Sequence, residues 1–266
     1  MTERGRLPGQ RPSRTDTRAD SPAAPGQVPQ PLLVLREMPC PYLPGRMERK
    51  VITNLNVPDA ALVHSQLSRG GFRRSHGFAY RPACRGCDAC VPVRVVAQGY
   101  APSKSLRRNA RRNADLTVTP RPARATDEYY ALFARYIQAR HGDGEMREMR
   151  AADFRQMIEE SPVPSAIAEM RDAAGVLRAA MLYDMTDDGA SAVYTFFDPE
   201  AAARSLGTFA VHWLIEETRR RGGDYVYLGY WIADSRKMAY KSRFQPLQAL
   251  RAGQWQPLAD ATRRQP

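Results

Sequence analysis

The stretch from Ala166 to Ile232 constrains the fold more than any other part of this chain. It holds three apolar, strand-like runs: Ala166–Met170, Leu177–Met185 and Ala190–Phe197. Asp188-Gly189 between the last two is a hairpin-turn signal, because both residue types tolerate the positive φ that such turns require. DPEAAARSLGTFAVHWLIEETRRRGG then reads as a helix. Ser205 is its expected N-cap, and Phe209, Trp213 and Leu214 form its packed face. Arg219, Arg220 and Arg221 before Gly222 mark its C-terminus, where cations meet the negative end of the helix dipole. YVYLGYWI, Tyr225 to Ile232, is too apolar to be exposed on both faces and predicts a buried strand.

The flanks continue this alternation. Leu116–Pro122 predicts a strand, and Thr126 with Asp127 and Glu128 opens a helix whose buried stripe is Tyr129, Phe133, Tyr136 and Ile137. Gly142 is the expected stop, with His141 a surface or capping residue. A second helix carries Phe154, Met157 and Ile158 and stops before Pro162. After Ile232, Asp234 or Ser235 is expected to cap a last helix through Met238, Lys241 and Phe244, broken by Pro246, and LQALRAGQW predicts a hairpin around Gly253. The fold class expected is α/β (α+β). Antiparallel strands followed by strand–helix–strand–helix–strand match a GNAT-like N-acyltransferase fold, here preceded by a smaller cysteine-containing domain. In such folds the donor's phosphates lie at the N-terminus of the helix after the central strand, where free amides and the dipole favour anions. Arg204-Ser205-Leu206-Gly207-Thr208 stands there, and Gly207 would let a ligand approach the backbone. The Arg/Gln-x-x-Gly-x-Gly/Ala loop of acetyl-CoA enzymes is absent.

All four cysteines lie in the first third of the chain: Cys40, then Cys84, Cys87 and Cys90 in YRPACRGCDACVPVR. C-x-x-C-x-x-C spacing lets thiolates converge from a tight loop, and it suits Zn²⁺ or an iron–sulfur cluster. Packed reduced thiols are the plainer reading; a disulfide framework fits least, since most of the chain would be unstapled. Pro102–Asn113, PSKSLRRNARRN, adds a basic helix with Arg107, Arg108, Arg111 and Arg112 on one face and Ser103 or Ser105 as its cap. From Ala89 through Ala114 there are six basic residues and no acidic one. Four guanidinium groups side by side repel one another unless a polyphosphate pairs with them, so this face is expected to bind an RNA backbone rather than merely be solvated. The whole-chain balance, 40 basic less 28 acidic residues or +12, agrees.

Residues 1–31, with six prolines and three glycines, are expected to be a disordered tail. Residues 32–120 form the expected cysteine-containing basic domain, 121–256 the acyltransferase domain, and 257–266 a second tail. No apolar run is long enough for a membrane span and the N-terminus has no signal-peptide core, so the expected location is the cytoplasm.

Taken together, VYTFFDPE, RSLGTF, YVYLGYWI and KMAYKSRFQP, with the cysteine and arginine blocks upstream, resemble the bacterial aspartate/glutamate leucyltransferases, relatives of the arginyl-tRNA–protein transferases. The resemblance covers roughly residues 31–256, with the blocks in order, and departs in the proline-rich tail. Three spaced cysteines are the pattern of the leucyl branch, whereas eukaryotic arginyl relatives carry an adjacent pair. The resemblance implies transfer of leucine from leucyl-tRNA to proteins beginning with Asp or Glu, which marks them for degradation. Arginine as the transferred residue is the alternative; a non-catalytic metal-containing RNA-binding protein and an acetyl-CoA-dependent N-acetyltransferase are the others.

An aminoacyl ester is already activated, so the reaction needs no cofactor, only positioning, proton removal and oxyanion stabilisation. A structural or regulatory zinc ion or iron–sulfur cluster is the inorganic group the cysteines would hold. Asp198 is the candidate to hold or deprotonate the amine, with a turn role before Pro199 as its competitor. Tyr194, Tyr227 and Tyr230 are candidates to line the aminoacyl pocket, or else core. Ser205, Gly207, Thr208 and Lys241 join the four arginines as candidate tRNA contacts. Lys241 and Arg243 would meet the tRNA end or the acceptor's acidic side chain, or form surface ion pairs. His64, His76, His141 and His212 lie in no catalytic motif.

Overall fold

The computed structural model describes residues 30–140, 148–235 and 237–258. The expected tail at 1–29, His141, Gly142 and the segment 259–266 lie outside the described residues. The first half runs β1 (Leu33–Val34), β2 (Met38–Pro39), β3 (Met47–Glu48), β4 (Lys50–Asn54), α1 (Ala60–Arg69), β5 (Arg73–Ser75), β6 (Phe78–Pro82), β7 (Val91–Val96), α2 (Lys104–Arg112) and β8 (Thr117–Pro122). The second runs α3 (Asp127–Arg140), α4 (Ala151–Glu159), β9 (Ser165–Arg171), β10 (Leu177–Thr186), β11 (Gly189–Phe197), α5 (Leu206–Arg220), β12 (Tyr225–Trp231), β13 (Leu247–Arg251) and β14 (Gln254–Pro257). Short 3-10 helices occupy Pro199–Arg204 and Ala239–Arg243.

An eight-stranded sheet, ordered β14-β13-β7-β12-β11-β10-β9-β8, is the spine. A four-stranded sheet, β1-β4-β6-β5, lies beside it. In the large sheet only β11 and β12 are parallel among the described strands, because α5 carries the chain back between them. β7 hydrogen-bonds to β12 and β13, so the large sheet runs across the boundary expected near residue 120. Pro92 in β7 is tolerated because β13 pairs only with Val93, Arg94 and Val95.

Successive residues of a strand face opposite sides, and β10 is buried on both. Ala179, Met181 and Tyr183 pack with Leu206, Ala210, Leu214 and Leu106 under α5 and α2. Ala180 and Leu182 pack with Phe133, Ile137, Phe154, Ile158 and Phe196 under α3 and α4. The expected stripes of α3 and α4 are therefore the faces that cover the sheet. A small third cluster, Leu55, Val63 and Ala79, holds α1 to the four-stranded sheet.

The segment after β12 differs from the expected helix. It forms only the 3-10 turn Ala239–Arg243, and neither Asp234 nor Ser235 caps a helix. Lys241 and Phe244 are both buried. Three residues per turn is the geometry that puts positions i and i+3 on one side, which an α-helix does less well.

The two sheets are locked by charge. Arg74 of β5 forms a bidentate pair with Asp184 of β10 at 2.7 and 2.8 Å. Ser165 donates to the same carboxylate at 2.6 Å, and His64 lies 3.6 Å from it. Arg74, Asp184 and His64 are all buried.

Candidate active site

β11 and β12 pair only over Gly189–Ser191 and Tyr225–Tyr227, then part. The register of β12 against β7 shifts between Tyr227 and Gly229, and Gly229 takes φ 72°. A Cβ on Gly229 would lie 1.8 Å from Nη1 of Arg73. Glycine is thus required twice, by the positive φ and by the guanidinium against the strand. Arg73 of β5 reaches into the opening and donates to the carbonyls of Ala192 and Val193 on β11 at 2.9 and 3.0 Å, and to Leu228 on β12 at 3.4 Å. It supplies donors to carbonyls that parted strands no longer satisfy.

Lys241 stands on the same stretch of β12. It is 4 % exposed, and its Nζ donates to the carbonyl of Tyr230 at 2.5 Å. Burial holds its pKa well below the ordinary lysine value, and the Arg73 charge lowers it further. An amine buried this way is not at a surface where a nucleic-acid backbone would lie, which corrects its expected tRNA contact.

Asp198 takes the turn role. It is buried, its Oδ2 accepts from Arg178 at 2.7 Å, and its Oδ1 accepts from the Glu200 amide at 3.2 Å as N-cap of the 3-10 helix. Both oxygens are engaged, which removes it as a free base. Tyr230 is buried and donates its hydroxyl toward the carbonyls of Gly71 and Tyr80 at 3.1 and 3.0 Å, pinning the small sheet to the large one. Tyr227 donates to Asp188 at 2.7 Å and meets Trp255 edge-to-face, 5.9 Å between ring centres. These two tyrosines hold structure together. Tyr194 is half-buried, 6.0 Å from the Phe133 ring, and burial raises its hydroxyl pKa, so it stays protonated at neutral pH. It lies on β11 beyond the point of parting, and its ring packs with the apolar cluster under α3 and α4.

The basic helix is as expected. Ser103 caps α2 by accepting from the Leu106 amide, and Leu106 and Asn109 face inward. Arg107, Arg108, Arg111 and Arg112 are exposed, and among the described residues none pairs with a carboxylate within 4.0 Å. Asn109 and Asn113 donate to the carbonyl of Arg204 at 2.8 and 3.0 Å, which ties α2 to the start of α5. Arg243, also exposed, donates to Ser105 of α2 at 2.8 Å and extends the same basic surface. Ser205 is the N-cap residue of α5, but at φ 52° its side chain caps nothing. A Cβ on Gly207 would meet the Phe197 ring at 3.2 Å, so the missing side chain makes room for Phe197 rather than for a ligand. Thr208 is half-buried in the first turn of α5.

Cys40, Cys84, Cys87 and Cys90 line one recess with Tyr42, Lys50 and Tyr80. Burial pushes the Cys90 thiol up to about 11, and the neighbouring Cys40, Cys84 and Cys87 add to the shift. Cys84 Sγ accepts from the Arg49 amide at 3.3 Å. The donor set, four thiols on one recess, suits a soft metal. As they stand, no three metal-ligating side chains among the described residues are close enough to hold an ion.

The sequence of the second half, residues 128–251, matches the family model described as arginine-tRNA-protein transferase, C terminus, and residues 38–108 match its N-terminal counterpart. A protein of Paramagnetospirillum magneticum named aspartate/glutamate leucyltransferase is 53% identical over 222 residues, 84% of this chain and 91% of the relative. One of Granulibacter bethesdensis with the same name is 50% identical over 223 residues, 84% of each. The chain belongs to the aspartate/glutamate leucyltransferases of the arginine-tRNA-protein transferase family. Among solved structures, FemX aligns over 71% of this chain and 65% of its own, with 9% identity and a TM-score of 0.43.

Within this leucyltransferase fold, sequence reasoning missed Arg73. One signal was available: a glycine inside the apolar strand YVYLGYWI, where glycine marks a bulge or a close approach.

Proposed function

We propose that this chain transfers leucine from leucyl-tRNA to the α-amine of proteins that begin with Asp or Glu. The observation that carries the proposal is the identity of about half of all residues, over 84% of the chain, with relatives of that name. The exposed arginines of α2, which have no carboxylate partner among the described residues, supply the electrostatic partner a tRNA backbone requires. A helix crossing between two parallel strands that then part supports reading the fold as GNAT-like.

The reaction is aminolysis of an ester. The acceptor nitrogen attacks the leucyl carbonyl carbon, a proton leaves that nitrogen, and the ribose oxygen departs as a hydroxyl. The ester supplies the driving force, so the protein's part is to align two large substrates and favour the tetrahedral oxyanion. The opening between β11 and β12, with Arg73 across it, is where we place the reacting ends. A leucine on an acidic N-terminus would mark the acceptor for degradation, and a reaction that consumes charged tRNA belongs in the cytoplasm. Cys40, Cys84, Cys87 and Cys90 would hold a zinc ion or an iron–sulfur cluster, which would stabilise the surrounding fold and take no step in the transfer.

The test is transfer of radiolabel from leucyl-tRNA to peptides that differ only in residue one. Peptides starting with Asp or Glu should be labelled, and those starting with Lys or Ala should not. Equal labelling of all four would overturn the proposed acceptor.

A further inference from the structure

Arg73 and Lys241 are two basic groups set against Leu228–Tyr230 of β12, one at each end of that short stretch. The carbonyls they hold belong to Leu228 and Tyr230, on either side of Gly229. Neither forms an ion pair within 4.0 Å with a carboxylate of the described residues. Arg73 is partly open to solvent and Lys241 is closed off. Arg73 is the charged group that acts on Lys241, and it comes from β5 of the small sheet, opposite the turn that carries Lys241. Two basic groups, partly or fully desolvated, with nothing negative beside them are costly unless an anion completes them.

We propose that Arg73 and Lys241 bind the side-chain carboxylate of the acceptor's first residue and so set the preference for Asp and Glu. This rests on the function proposed above and names the residues behind its acceptor specificity. Arg73 already spans the opening through the carbonyls of Ala192, Val193 and Leu228, a setting that suits a small anionic group such as a single carboxylate. Arg73 meets the carboxylate at the open side, and charge-assisted pairing gives direction. Burial and the Arg73 charge favour the neutral amine of Lys241 in the free protein. A carboxylate beside it would favour the ammonium, so binding an acidic acceptor should take up more proton than binding its amide counterpart.

Two measurements test this. In the first, leucyl transfer is followed for the protein and for Arg73→Gln and Lys241→Met, with peptides starting with Glu and with its neutral isostere Gln. The Glu-over-Gln ratio of kcat/KM should fall at least about tenfold in each folded variant, the low end for removing one partner of a charge pair. Parallel loss on both peptides, with the ratio unchanged, would overturn the proposal. In the second, which needs no variant, calorimetric titration of the full chain with the two peptides in buffers of different ionisation heat counts protons. Greater proton uptake with Glu than with Gln supports the Lys241 role, and equal counts overturn it. If the unaltered protein transfers leucine to neither peptide, the proposed function fails instead.

Discussion

Replacing Gly229 with alanine tests the most specific packing relation in the molecule. Two costs follow from the structure. Gly229 has φ 72°, where an alanine is strained by about 1–2 kcal/mol. Its new Cβ would lie 1.8 Å from Nη1 of Arg73, and the next nearest atoms of that side chain are at 2.5 Å, so the guanidinium must move. Moving it breaks at least one of the bonds to Ala192, Val193 or Leu228. A hydrogen bond from a charged group is worth about 1.5–3 kcal/mol. The sum is about 2.5–5 kcal/mol. Gly222 and Gly253, at φ 79° and 77° with nothing within 4 Å of an added Cβ, carry the backbone cost alone. Urea denaturation of Gly229→Ala, Gly222→Ala and Gly253→Ala should therefore show the first less stable than the others by about 1.5–3 kcal/mol. If Gly229→Ala costs no more than the two controls, Arg73 does not occupy the strand opening.

Changing Arg107, Arg108, Arg111 and Arg112 together to Gln should weaken tRNA binding and reduce the log–log salt slope by about 0.7–0.9 per lost phosphate contact. An unchanged slope would mean the α2 face is only solvated. Metal analysis after anaerobic purification should find zinc, or iron with sulfide, near one site per chain, and Cys87→Ser should lower that content and the melting temperature. Metal-free protein with full stability would return the four thiols to simple packing. Burial lowers the His64 pKa below its ordinary value, with Arg74 lowering it further and Asp184 opposing. The unfolded chain then binds the proton more readily, so the His64 contribution is present above about pH 6.5 and is lost as pH falls through the depressed folded value. Urea midpoints of His64→Gln should fall less steeply with acid than those of the parent, and identical slopes would contradict this.

Local pattern carried much of the fold. β9, β10, β11 and α5 were legible because apolar residues recur at the periods of buried strands and helices, and Asp188-Gly189 marks the turn between two of them. The partners of β7 were not, because Val91–Val96 pairs with strands more than 120 residues later and nothing local records that. β5 was invisible too. Nothing local in the sequence singles out Arg73 and Arg74, yet one reaches backbone carbonyls of the parted strands and the other a buried carboxylate. Lys241 misled as well: it was expected in a last helix as a candidate contact for tRNA or the acceptor, yet it and Phe244 are buried and its amine meets the Tyr230 carbonyl. For Asp198 the Pro199 signal was the sound one, and the carboxylate beside a strand end was structural.

Leucine, carried by tRNA, is the group transferred in the proposed reaction. The most direct measurement incubates the full chain with a mixture of charged tRNAs and an acceptor protein beginning with Asp, then reads the acceptor's intact mass and N-terminal sequence. The expected result is a gain of one leucyl residue, attached to the α-amine and abolished by ribonuclease. A gain of arginine, or no gain while the acceptor and charged tRNA remain intact, would contradict it.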